Sequence, residues 1–132
     1  MYFIRCSGRV VNIENTDMLE RINGIVVWQS RSISQSFGEQ TVQLIANVAD
    51  YNYWEVIYFY STTSRYVLTT GKLPIGTRDG VMHFSSGAFF MRSATLFENS
   101  LLFGPCIERG EFYADGITSN NYLIPYLIKF YK

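Results

Sequence analysis

Apolar and polar positions along this chain alternate mostly with a period of two, in short runs. Turn residues break the runs about every 10 positions, the spacing of a sandwich or barrel. Tyr2–Asn12 reads as a strand with a bulge at Cys6-Ser7-Gly8. Asn15–Arg21 is the one candidate helical turn, with Asp17 as its cap and Glu20 three residues later. After the Asn23-Gly24 turn, Ile25–Trp28 starts an apolar strand. In Gln29–Phe37, Ser30, Ser32, Ser34 and Ser36 would share one face of a strand. Thr41–Val48 is the cleanest half-buried pattern, with Val42, Leu44, Ala46 and Val48 on one side. Asp50-Tyr51-Asn52 makes a corner, and Tyr53–Tyr60 follows, apolar on both faces apart from Glu55.

Ser61–Ser64 is polar and reads as a loop before a strand at Arg65–Thr70, which Gly71 and Pro74 end. Asp79-Gly80 predicts a hairpin between Leu73–Thr77 and Val81–Ser85. Ala88–Phe97 is a further strand, turned at Glu98-Asn99-Ser100. Short strands at Leu101–Phe103 and Glu111–Ala114 precede a turn at Asp115-Gly116. Tyr122–Tyr131 is a last strand, where Pro125 predicts an edge, a bulge or a strand start. No amphipathic helix is long enough for a βαβ crossover. The pattern predicts an all-β fold: a two-layer antiparallel β-sandwich, jelly-roll-like, with at most one short helix near residues 17–21. It is a single domain over 1–132, on which residues 1–24 pack as a strand and a short helical turn.

Composition agrees with this reading. At 132 residues a hydrophobic core forms without staples. Only 17% of residues are charged, and the aromatics are mainly Tyr and Phe. Such a chain suits pleated, half-buried surfaces and surfaces hidden against a partner. Eight of the 11 basic residues are Arg, which bonds well at partly desolvated interfaces. A net charge of zero gives no pull toward nucleic acid or an acidic membrane. No apolar run approaches a membrane span, and no signal segment is visible. Cys6 and Cys106 show no framework spacing and read as free thiols.

Candidate chemistry is sparse. His83 is the only histidine, so neither a zinc site nor a triad has its usual parts. Glu98, Glu108 and Glu111 read as solvated turn residues rather than a glycosidase pair. No catalytic residue, cofactor site or metal site is expected. The aromatic corner of Tyr51, Tyr53 and Trp54 is the candidate ligand platform.

The stretch TVQLIANVADYNYWEVIYFY over Thr41–Tyr60, with NYLIPYLIKFYK at the C-terminal end, resembles the head modules of phage tail-fibre and receptor-binding proteins. The resemblance spans about Ile25 to Lys132. It implies a β-sandwich, often trimeric, on a virion assembled in the host cytoplasm. Attachment to the host or decoration of the particle would be its work. Its partners would be copies of itself, other virion proteins, and a host-surface glycan or protein. The alternatives are a carbohydrate-binding module outside a virion and a small glycan-cleaving enzyme. Self-association has its own rationale in Tyr53–Tyr60. Trp54, Val56 and Tyr58 can fill an inner face, which leaves Tyr53, Ile57 and Phe59 for an oligomer interface.

Overall fold

The computed structural model describes residues 2–6, 9–13, 21–77, 79–85, 87–110 and 114–132. β1 (Tyr2–Cys6) and β2 (Arg9–Ile13) pair with each other, from Tyr2 opposite Ile13 to Cys6 opposite Arg9. The expected single bulged strand is thus a hairpin. The ladder ends at the pair of Cys6 and Arg9, and Ser7 and Gly8, where the bulge was expected, lie outside the described residues. Most of the expected helical turn falls outside the described residues; Arg21 and Ile22 are helical.

β3 (Ile25–Gln29) and β4 (Gln40–Gln43) follow. The segment between them is not the serine-faced strand expected at Gln29–Phe37. Ser30 Oγ donates to the Ser32 carbonyl and accepts from the Ser32 amide, and the Ser34 amide donates to Ser32 Oγ. Serine side chains offered the backbone local partners in place of a ladder. After β4, Leu44 stays buried while Ile45 is exposed, and a 3-10 turn at Val48–Asp50 makes the corner. Asn47 caps that turn by accepting from the Ala49 amide.

β5 (Tyr53–Ser61), β6 (Val67–Thr69) and β7 (Leu73–Pro74) come next, then β8 (Asp79–Ser85) and β9 (Ala88–Leu96). β10 (Ser100–Phe103), β11 (Ile107–Gly110), β12 (Ile117–Thr118) and β13 (Tyr122–Tyr131) complete the strands. Asp79-Gly80 is not a hairpin turn. Both residues lie within β8, which pairs with β9, whereas β7 pairs with β5 in the opposite sheet. A side chain at Gly80 would place Cβ 2.3 Å from the Arg92 carbonyl oxygen, so close approach of strands, not a turn, requires this glycine. Most of the strand expected at Glu111–Ala114 lies outside the described residues; β11 at Ile107–Gly110 is a strand that the pattern does not mark.

Apart from the β1–β2 hairpin, two antiparallel sheets form the sandwich. One has the order β3-β13-β5-β6, with β7 also on β5; the other has the order β12-β11-β9-β10-β4, with β8 also on β9. β10 covers one half of an edge of β9 and β11 the other half. Pro125 sits beside a register shift between β13 and β5, one of the positions expected of it, although β13 is a central strand. Between the sheets lie Val27, Trp54, Val56, Tyr58, Ile128 and Phe130 from one side and Val42, Phe90, Ala94, Leu101 and Phe103 from the other. The predicted inner face of β5 is therefore the core face.

Cys106 is a free, buried thiol. Burial pushes its pKa from 9.0 up to about 11, against the opposing pull of the Arg92 guanidinium. Burial also raises the pKa of the Tyr131 hydroxyl, and so does its 2.6 Å bond to Glu55 Oε1. Both folded groups hold protons that the unfolded chain has already released, so alkali favours unfolding. The thiol's contribution is intact below about pH 9 and is lost as pH rises through about 11. Tyr131 extends the loss above its ordinary value of about 10. Urea midpoints measured from pH 8 to 11 should fall. Cys106→Ala should flatten the fall between pH 9 and 11, and Tyr131→Phe should flatten its upper part. An unchanged slope in Cys106→Ala would refute the assignment.

Candidate functional site

Alternation along β8 and β9 sends Phe90, Arg92 and Ala94 inward and Phe89, Met91 and Ser93 outward. Cross-strand register places Met82 opposite Met91 and Phe84 opposite Phe89 on that outward face. Met82 is 61% exposed, Phe84 59% and Phe89 42%, and the Phe84 and Phe89 rings lie 4.8 Å apart. These side chains form a contiguous apolar patch. A groove of about 600 Å³ adjoins it, lined by Met82, Met91, Ser93, Thr95 and Gly80. Gly80 and Ser93, both in the lining, are a cross-strand pair.

The outward face of the other sheet is less bare. Tyr53, Ile57 and Phe59 share it, as expected. Tyr53 is exposed, but Ile57 and Phe59 are half-buried. The Tyr126 ring lies 5.0 Å from that of Phe59, and the Arg65 guanidinium covers Phe59 at 5.6 Å. Tyr131, on the same face, is buried under Gly24 and Lys72, whose Nζ lies 4.1 Å above the ring.

The expected ligand platform does not assemble. Trp54 is fully buried and points into the core, while its neighbour Tyr53 points out. Tyr51 packs its ring on Phe130 at 5.3 Å, beneath Lys132. A period-two strand divides such neighbours between opposite faces, so only the half-buried Tyr51 and the exposed Tyr53 reach the surface. His83 is a packed aromatic, 4.9 Å from the Tyr60 ring and 5.8 Å from Tyr66.

The most unusual polar residue in the structure is one that the alternation of β9 could have revealed. Arg92 falls at an inward position and is 1% exposed. Its Nε donates to the Leu123 carbonyl at 2.8 Å, Nη1 to Gly104 at 2.8 Å and Nη2 to Tyr122 at 3.1 Å. Its guanidinium also lies 5.4 Å from the Phe37 ring. Burial lowers its pKa, while Cys106 and Tyr58 act in the opposite sense. Among the described residues, Arg92 makes no ion pair with a carboxylate; backbone carbonyls and an aromatic face hold the charge. One of those carbonyls belongs to Leu123, a non-glycine residue at φ +50°. Arg92 therefore joins β9, the Gly104 crossing and the start of β13, and so fixes one end of the sandwich.

Among the described residues there is no group of three His, Cys, Asp or Glu side chains placed to hold a metal ion, and no helix is long and apolar enough to cross a membrane. Comparison with protein-family models, with curated proteins and with solved structures gives no match to this chain.

Proposed function

We propose that this protein is a virion structural module that self-associates, as the trimer the sequence resemblance implies, and serves attachment to a host surface or decoration of the particle. The observation that carries the self-association is the bare outward patch of Met82, Phe84 and Phe89. Full burial of such side chains is worth about 1.5–3 kcal/mol each. An uncovered patch of this kind marks an interaction surface, and a closed ring of copies covers it without leaving open ends. The low charge and the Arg-biased basic set fit the same reading. The β8–β9 face is the stronger interface candidate, because Ile57 and Phe59 on the other sheet already have intramolecular cover.

Light scattering of the purified chain at high micromolar concentration tests this. A mass of about three protomers is expected. Phe84→Asp should give folded monomers, whereas Ile57→Asp should leave the assembly largely intact. A wild-type chain that stays monomeric overturns the association reading, and loss of assembly in Ile57→Asp alone would move the interface to the β5 face.

A further inference from the structure

The segment between β3 and β4 borders a second, half-open cavity of about 330 Å³. We infer that it is a binding site for a short saccharide bearing a carboxylate. Its floor is aromatic: the Trp28 and Phe37 rings meet edge to face at 6.2 Å, with Phe103 behind both. Its walls carry Gln29, Arg31, Gln35 and Gln40. Among the described residues no Asp or Glu lines it, and Arg31 is the one charged group of the lining.

The cavity is built in advance of any ligand. The Ser30 amide donates to the Tyr126 carbonyl and the Phe37 amide to the Asn120 carbonyl, both at 2.9 Å, so each end of the loop is tied to the body. The serine bonds described above stiffen the middle, and Arg65 Nη2 reaches Ser34 Oγ at 3.4 Å. Beneath the floor, the buried Arg92 guanidinium supports the Phe37 ring. By contrast, the side chains of Gln29, Arg31 and Gln35 make no hydrogen bond among the described residues. An aromatic floor with a few free polar groups converging above it is the usual form of a small-molecule site.

The lining selects the ligand class. A sugar ring presents an apolar face to an aromatic side chain and hydroxyls at its edge. Amide side chains can both donate to and accept from hydroxyls. Arg31 adds a planar fork suited to a carboxylate. The volume lies at the low end of the roughly 300–1,000 Å³ of ligand sites, which suits one or two rings rather than a long chain. The inference rests on the attachment part of the function proposed above and supplies its ligand class; it does not depend on self-association.

The test uses the full chain, an array of sialylated and uronic-acid-containing glycans with matched neutral glycans, and tryptophan fluorescence. Trp54 is fully buried, so a ligand-induced change in emission or in quenching by acrylamide reports Trp28. Acidic glycans should bind and shield Trp28. Arg31→Gln should weaken binding at least tenfold and Gln35→Ala severalfold, while thermal midpoint and oligomeric mass stay unchanged. Lys129→Gln, which alters a charge outside the cavity, should bind as wild type. Absence of binding to any acidic glycan overturns the site whether or not the protein is oligomeric. Binding that survives Arg31→Gln, or that is equal for neutral glycans, overturns the assigned ligand class.

Discussion

Arg92→Met is expected to lower the stability of the folded chain by about 3–5 kcal/mol, a large share of the roughly 5–15 kcal/mol available to a domain. Methionine fills much of the same volume but cannot donate. The carbonyls of Leu123, Gly104 and Tyr122 would each lose a charge-assisted bond inside the core. Orphaning a buried acceptor costs about 1–3 kcal/mol. Relief of the buried charge offsets part of that sum but not all of it. Lysine should recover only a fraction, since one ammonium on a flexible stem cannot reach three carbonyls from a fixed plane. Urea denaturation gives the measurement, read as a fall in midpoint at constant slope. A methionine variant within about 1 kcal/mol of wild type would show that the charge costs as much as its bonds return.

Gly80→Val is the second change with a large expected effect. Even the first added carbon would sit 2.3 Å from the Arg92 carbonyl oxygen and 2.9 Å from the Ser93 Cα. Both obstacles are backbone, so no side-chain rotation relieves them. The strands must separate, which breaks the β8–β9 ladder at the place where the outward groove opens. Forcing extra carbons into a closed site costs typically 1–3 kcal/mol, and a branched side chain belongs at the upper end. Gly71→Ala is the control. It has no atom within 4 Å but a φ of +71°, and should lose only about 1 kcal/mol from backbone strain. If the two variants unfold at the same urea concentration, close approach is not what the glycine at position 80 provides.

The chain's period-two pattern was a sound guide where packing decided the outcome. Tyr53–Tyr60, Ala88–Phe97 and Tyr122–Tyr131 all form long strands, and the inner set of Trp54, Val56 and Tyr58 is fully buried. It failed where local chemistry overrode alternation. Four serines at alternate positions satisfied the period-two template, yet hydroxyls that bond the neighbouring backbone make a loop. Asp79-Gly80 carried a turn signal, but glycine also allows two backbones to meet, and a dipeptide does not separate these uses. The aromatic corner illustrates a third limit. Tyr51, Tyr53 and Trp54 are close in sequence, but a pleated strand divides them between the two faces. The cavity under the serine loop draws Trp28 and Gln29 from β3 and Gln40 from β4, so its lining is assembled only by the fold.

The place of β13 has a consequence for biosynthesis. Its Phe130 pairs with Ile25 of β3, 105 residues earlier, and with Trp54 of β5, 76 residues earlier. During synthesis β3 and β5 emerge first, and neither can obtain its central neighbour until residues 122–131 leave the ribosome. Until then the nascent chain carries unpaired strand edges with Val27, Trp54 and Val56 uncovered, surfaces that invite association with other nascent chains. Closure over such long sequence separations is also intrinsically slow. Yield from expression should therefore respond to translation rate and chaperone supply more strongly than the stability of the finished fold would suggest.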